Sequence, residues 1–122
     1  MDNQFDVLIN SYLNNNVGID IDFLNEALLD GLHKNIMQLQ RDEMMTAGSI
    51  GNEGEKNPEQ KMRSDKIYWM DKSHENSYEQ EFLQLAEDFI AHLNMTCYTG
   101  INAYEFHYAV YEEGSYYKRH KD

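Results

Sequence analysis

The segment from Tyr104 to Asp122 constrains the fold more than any other part of this sequence. Five of the nine tyrosines lie between Tyr104 and Tyr117, and aromatic residues favour β-strands. A short turn at 112–114 predicts two strands joined at that point. The second strand ends in His120-Lys121-Asp122. Side chains alternate between the faces of a strand, so His120 and Asp122 are predicted to point the same way.

An imidazole and a carboxylate on one face of a strand can supply two adjacent ligands to a divalent metal. The 2-His-1-carboxylate triad of non-haem Fe(II) oxygenases contains such a pair and needs one further histidine. The His-x-Asp pattern is weak alone, because the chain holds five histidines and 22 acidic residues. A polar, solvated strand end is the alternative interpretation.

Two motifs support the interpretation of His120 and Asp122 as metal ligands. The upstream motif is Arg63-Ser64-Asp65-Lys66-Ile67-Tyr68-Trp69, the downstream motif is Tyr117-Lys118-Arg119-His120-Lys121-Asp122, and an amphipathic helix is predicted between them. In this order they resemble the prolyl hydroxylase branch of the 2-oxoglutarate- and Fe(II)-dependent dioxygenases. The resemblance is to prolyl 4-hydroxylase-like enzymes of the hypoxia-factor type and their bacterial relatives, and it covers roughly residues 20 to 122.

The resemblance implies an α+β fold, in which N-terminal helices pack on the first strands of a double-stranded β-helix, or jelly-roll. That fold is expected to be incomplete here, because the family's distal histidine and its basic 2-oxoglutarate-binding residue follow the His-x-Asp motif. We therefore expect one partial dioxygenase domain over residues 1–122. Its parts are a helical region (1–45), a mobile loop (46–62) and a strand–helix–strands region (63–122).

The same resemblance assigns roles near the predicted metal site. His120 and Asp122 are the expected Fe(II) ligands. Tyr111 matches the strand-end tyrosine whose hydroxyl contacts 2-oxoglutarate, and Tyr117 matches the tyrosine beside the metal motif. In a regular strand Tyr117 would lie on the face opposite His120, so a direct ligand contact would need a twist or a bulge. Ascorbate is a further reductant that the resemblance implies.

Arg63 and Asp65 have two interpretations. They form either a surface ion pair that contributes little stability or, by resemblance, contacts to the substrate. The implied substrate is a prolyl side chain in a protein or peptide. The alternative function is a non-catalytic interaction module of the same fold, and a metal-binding β-barrel without 2-oxoglutarate chemistry is a third hypothesis.

Composition excludes some classes of partner. The formal net charge is −12, and an acidic chain is repelled by nucleic acid and by anionic membrane surfaces. One cysteine, Cys97, allows no internal disulfide, which fits a reducing compartment. The N-terminus has no signal-peptide pattern, so we expect a soluble, cytoplasmic protein.

Apolar periodicity predicts three helices. The first covers residues 2–15, with Asp2 as its cap and Gly18 as the left-handed residue after its end. The second begins after a cap at Asn25 and runs to about residue 44. The third begins with a capping box at 77–80 and packs its apolar face on the sheet.

Strands are predicted at 19–23, 66–70 and 98–111. Trp69 is expected in the core. His74 and His92 are expected to be solvated, and His107 is interpreted either as a cross-strand contact or as a second metal histidine.

Half of a double-stranded β-helix would expose strand edges and an apolar sheet face. We therefore expect the purified chain to be marginally folded, or to form a homodimer through the open sheet edge. Light scattering after size exclusion, combined with thermal unfolding, measures both properties. A monomer with a cooperative transition at ordinary stability would contradict this expectation.

Overall fold

The computed structural model describes residues 3–48 and 63–120. Three helices and three strands occur in this part of the chain, so the predicted α+β class is confirmed. In chain order the elements are α1 (Asn3–Asn15), α2 (Glu26–Arg41), β1 (Thr46–Ala47), β2 (Lys66–Trp69), α3 (Ser77–Cys97) and β3 (His107–Val110). Over the same residues, no helix combines the length and apolar character that a membrane crossing requires.

The described residues group into two compact units. The helical unit holds the residues up to Asn35 together with Lys72–Tyr104, and thus contains α1, the first part of α2, and α3. The sheet unit holds the residues from 36 to 71 and those from 105 onward. Helix α3, expected in one region with the strands, is thus grouped with the N-terminal helices. The first residues of the predicted loop form β1, and residues 49–62 lie outside the described part.

An aromatic cluster forms the centre of the helical unit. Phe5 of α1 lies 5.3 Å from Phe89 of α3 and 6.1 Å from Phe23, measured between ring centroids. His92 packs on Phe5 at 5.4 Å, and its Nε2 lies 3.0 Å from Asp6 Oδ1. The expectation that His92 is exposed was wrong, because the ring of Phe5 covers it. Further buried apolar side chains complete this core: Leu28, Leu83 and Ala86.

The ends of α1 and α2 follow local side-chain chemistry. The Asn25 side chain accepts a hydrogen bond from the Leu28 amide at 2.8 Å, which confirms the predicted cap of α2. After α1, the left-handed residue is Asn16 (φ 62°) and not the predicted Gly18. The predicted strand at 19–23 is instead a turn, since Asp20 Oδ1 accepts from the Asp22 amide.

The start of α3 departs from the predicted capping box. Asn76, one residue earlier than predicted, is the N-cap, and its side chain accepts from the amides of Tyr78 and Glu79 at 3.0 Å. Glu79 is the third residue of α3, and its buried carboxylate lies 2.6 Å from His74 Nδ1. The expectation of a solvated His74 was wrong, because a buried carboxylate requires a polar partner. Cys97, expected in a connecting segment, is the last residue of α3.

The sheet unit contains an antiparallel sheet of order β1-β2-β3. Ile67 and Tyr108 are its buried apolar side chains. Trp69 is directly opposite His107, and their rings meet edge to face at 4.9 Å. The predicted cross-strand contact of His107 was expected to be polar; the observed one is between rings, and His107 Nδ1 instead lies 3.0 Å from the carbonyl oxygen of Tyr108. Trp69 is 48% exposed, so its predicted core position was wrong: its indole contacts the neighbouring ring and leaves one side to solvent.

The turn at 112–115 is present but does not reverse the chain. Ser115 N donates to Glu112 O at 2.8 Å, and Gly114 has φ 86°, a conformation that glycine adopts readily. Lys66 pairs with Val110, and Arg63 then forms an antiparallel bridge with Tyr117. After the loop between Val110 and Tyr117, the chain therefore pairs again with the same segment, at residues just before β2. The predicted second strand is reduced to this bridge, and the predicted strand from 98 is limited to 107–110.

Burial distinguishes two adjacent leucines of α2. Leu28 is 2% exposed and Leu29 is 53% exposed. We expect Leu28→Ala to lower the free energy of unfolding by about 2 to 5 kcal/mol, because it leaves a cavity. Leu29→Ala, the matched control, should change it by less than about 0.5 kcal/mol. Urea unfolding measures both, and equal losses would contradict the described packing of α2.

Candidate functional site

A buried ion pair lies at the start of β2. Arg63 Nε and a terminal guanidinium nitrogen, Nη2, donate to the two carboxylate oxygens of Asp65, each at 2.6 Å. Arg63 is 7% exposed and Asp65 is 1% exposed. Two parallel charge-assisted hydrogen bonds fix the orientation of the guanidinium plane. The interpretation of this pair as a weak surface contact was therefore wrong, since both side chains are withdrawn from solvent.

Gly48 makes room for this pair. Its amide donates to the Asp65 carbonyl at 2.8 Å, which brings the end of the β1 segment against the pair. A Cβ atom at this position would lie 2.5 Å from Arg63 Nε and 2.8 Å from Asp65 Oδ1. Those distances are too short for any side chain, so glycine is required by close approach. No sequence pattern distinguishes Gly48 from the other glycines of the predicted loop.

Backbone hydrogen bonds attach the downstream motif to the upstream motif. Ser64 N donates to Tyr116 O at 2.8 Å, and Tyr116 N donates to Ser64 Oγ at 2.7 Å. These two residues are 52 positions apart in sequence. Ser64 thus uses its backbone and its side chain to hold the segment that carries Tyr117. The sequence analysis assigned no role to Ser64, although its place between two charged residues of the motif was visible.

Tyr117 and His120 lie beside this attachment. The Arg63 guanidinium carbon lies 4.2 Å from the centroid of the Tyr117 ring, within the range of a cation–π contact. The His120 ring is stacked on Tyr117 at 3.6 Å, with an angle of 7° between the planes. In a regular strand the two side chains would lie on opposite faces, but residues 117–120 do not form one. Only a bridge forms here, so strand alternation does not apply beyond Tyr117.

A backbone contact fixes the tautomer of neutral His120. Nδ1 lies 2.8 Å from the Lys118 carbonyl oxygen, which can only accept, so Nδ1 carries the proton. The lone pair is then on Nε2, the atom that a metal would bind. An Nδ1–H group bonded to a carbonyl is a common arrangement of metal-binding histidines. The chemistry of His120 therefore fits a metal ligand.

Three ionisable groups at and beside the ion pair have shifted pKa values. The hydrogen bond from Arg63 lowers the pKa of Asp65 below its ordinary 3.8, and the same bond raises the pKa of Arg63. Tyr111 follows β3, and loss of hydration, then the negative charge of Asp65, raises the pKa of its phenol above 10.0. Tyr111 is 49% exposed, so its ring is accessible at the rim of the cluster.

The structure thus brings together five of the six predicted site residues: Arg63, Asp65, Tyr111, Tyr117 and His120. Asp122 lies outside the described residues. Within 3–48 and 63–120, no group of three or more His, Cys, Asp or Glu side chains is placed to hold a metal ion. The metal, cofactor and substrate roles of the six residues stay predictions.

A second polar cluster, which the sequence analysis missed, lies in the helical unit. Glu87 of α3 accepts from the Tyr104 hydroxyl and pairs with Lys72. The hydrogen bond to Lys72 lowers the pKa of Glu87, and the bond to Glu87 raises the pKa of Tyr104. Lys72 is exposed, Glu87 is half-buried and Tyr104 is partly exposed, so the cluster lies at the surface, where ion pairs contribute little stability. No sequence pattern links them, because the contact joins residues before, within and after α3.

Comparison with protein-family models, with curated proteins and with solved structures gives no match to this chain.

The lowered pKa of Asp65 predicts a dependence of stability on pH. A carboxyl with a lowered folded-state pKa contributes stability above its unfolded value, and this contribution is lost as pH falls through the folded value. We expect the free energy of unfolding to decrease below about pH 4 in the wild type. Asp65→Asn should show a weaker dependence and should lose about 3 to 5 kcal/mol near neutral pH, because Arg63 stays buried without its charge partner.

Urea unfolding at several pH values tests this expectation. Asp30→Asn, which changes an exposed carboxylate of α2, is the matched control and should follow the wild-type profile. If the free energy of unfolding falls with pH equally in the wild type and in Asp65→Asn, the ion pair does not contribute the expected pH-dependent stability.

Proposed function

We propose that this chain forms part of a 2-oxoglutarate- and Fe(II)-dependent dioxygenase of the prolyl hydroxylase type. In this proposal His120 and Asp122 hold the metal, and a further histidine completes the facial triad. The substrate is a prolyl side chain of a protein or peptide. The three-stranded antiparallel sheet is the beginning of a double-stranded β-helix.

One observation carries the proposal. The two motifs that resemble the dioxygenases are far apart in sequence, yet Ser64 and Tyr116 join them by two hydrogen bonds, and Arg63 stacks on Tyr117. An accidental resemblance of two separate segments gives no reason for them to meet. Residues of one active site must meet, so their contact supports a common site.

The local chemistry supports the metal and cofactor assignments. Neutral His120 carries its lone pair on Nε2, as a metal ligand requires. Tyr111 is exposed at the end of β3, with a phenol that stays protonated at neutral pH and can donate a hydrogen bond to a carboxylate. When bound, Fe(II) and 2-oxoglutarate, with ascorbate as reductant, would supply the oxidising chemistry. The chain's own residues would bind and orient these groups.

The burial of Arg63 and Asp65 favours a second candidate. A pair that contacts substrate is expected at an accessible surface, whereas these side chains are 7% and 1% exposed and bond to each other. In a non-catalytic interaction module of the same fold, the pair would serve stability alone. Metal binding separates the two candidates.

Calorimetric titration with Mn(II), with and without 2-oxoglutarate, tests the dioxygenase proposal. We expect wild-type binding that 2-oxoglutarate strengthens, because the acid chelates the same metal. His120→Ala should abolish the binding, since it removes one of the few protein ligands.

His33→Ala is the matched control, because His33 is an exposed histidine of α2 in the helical unit. It should bind Mn(II) as the wild type does. Binding that is indifferent to both 2-oxoglutarate and His120→Ala would reject the dioxygenase proposal and favour the interaction module.

A further inference from the structure

The ring of Tyr117 separates Arg63 from His120. The guanidinium carbon lies 4.2 Å from the Tyr117 centroid, and the imidazole centroid lies 3.6 Å from it. Two planar groups at these distances cannot share one face of a ring, because their own atoms would overlap. Tyr117 therefore lies between a cation on one face and the imidazole on the other.

The cation side of this stack is fixed. Both carboxylate oxygens of Asp65 hold the Arg63 guanidinium at 2.6 Å, and Gly48 leaves no free space beside the pair. The Arg63–Tyr117 bridge fixes the backbone from which the tyrosine ring extends. The Tyr117 ring thus rests on a guanidinium whose orientation is set by two hydrogen bonds.

The imidazole side carries two independent constraints. Stacking at an angle of 7° fixes the plane of the His120 ring. The contact of Nδ1 with the Lys118 carbonyl, at 2.8 Å, fixes the rotation of the ring within that plane. A plane and a rotation within it together determine the direction of the Nε2 lone pair. His120 is exposed, so these contacts limit the rotamers that solvent would otherwise allow.

We propose that Tyr117 is a positioning residue, which rests on the Arg63–Asp65 pair and orients the Nε2 atom of His120 toward a divalent cation. This inference rests on the proposed metal site and goes beyond it. It gives Tyr117 a task other than the 2-oxoglutarate contact that the resemblance implies. It also explains why a buried ion pair lies next to the metal motif.

The test compares Tyr117→Leu with Tyr117→Phe, which keeps the aromatic face. Co(II) is titrated into each purified chain and followed by its visible absorption. The His120 ring protons of the metal-free chain are followed by NMR. Loss of an outer contact of a metal ligand lowers metal affinity by about 10- to 100-fold. We expect a loss in that range for Tyr117→Leu, and wild-type affinity for Tyr117→Phe.

The NMR measurement tests the stack without any metal. A ring stacked on Tyr117 is shielded, so its proton signals should shift downfield in Tyr117→Leu and keep their positions in Tyr117→Phe. If Tyr117 had only a structural role, its substitution would change the unfolding midpoint without this difference in His120 proton shifts between Tyr117→Leu and Tyr117→Phe.

The outcomes separate the inference from the proposed function. Wild-type Co(II) affinity in Tyr117→Leu, with binding lost in His120→Ala, would overturn the positioning role and leave the metal site intact. If His120→Ala binds Co(II) as the wild type does, both the positioning role of Tyr117 and the proposed metal site are overturned.

If Tyr117→Leu does not fold, the double variant Arg63→Met/Asp65→Leu replaces the ion pair with apolar groups of similar volume, an exchange that folds tolerate well. Weakened Co(II) binding in that variant supports the inference, and unchanged binding overturns it.

Discussion

The buried pair of Arg63 and Asp65 is the interaction on which the sheet unit depends. Removing two charges from water is costly, and good geometry with complete hydrogen bonding is needed to offset that cost. Here the fork of the guanidinium meets both carboxylate oxygens at 2.6 Å, and Tyr117 covers the cation with its ring. Gly48 allows the third neighbouring segment to close over the pair. The pair therefore holds together three segments that are distant from one another in the sequence.

The same pair links stability to the candidate chemistry. Its cation supports Tyr117, and Tyr117 supports the imidazole of His120. A histidine on an exposed chain segment would otherwise adopt several rotamers, each with a different direction of its lone pair. Stacking on a ring that contacts the buried pair lowers that freedom. This arrangement explains how one motif can be both buried and relevant to a nearby site.

The helical unit obtains its stability in a different way. Three phenylalanine rings of α1, α3 and the segment between α1 and α2 pack together, and non-directional apolar burial dominates there. Its one fully buried carboxylate, among the residues described, belongs to Glu79 and is satisfied by His74 a few residues earlier. In both units the buried carboxylate is thus paired with a cationic or imidazole group close to it in the sequence, Glu79 with His74 and Asp65 with Arg63.

The sequence by itself determined the features that depend on neighbours along the chain. These are the α+β class, the Asn25 cap of α2, strand β2, and the turn at Gly114. It also identified five of the residues that meet near β2, although it did so through the resemblance of two motifs. Only the tertiary structure decided that Arg63 and Asp65 are buried, that Trp69 is half exposed, and that the chain continues past the turn without reversing. Periodicity states which residues share a face, but the groups that cover that face come from distant segments. Burial, strand pairing and the stacking of His120 therefore followed from contacts that no local pattern contains.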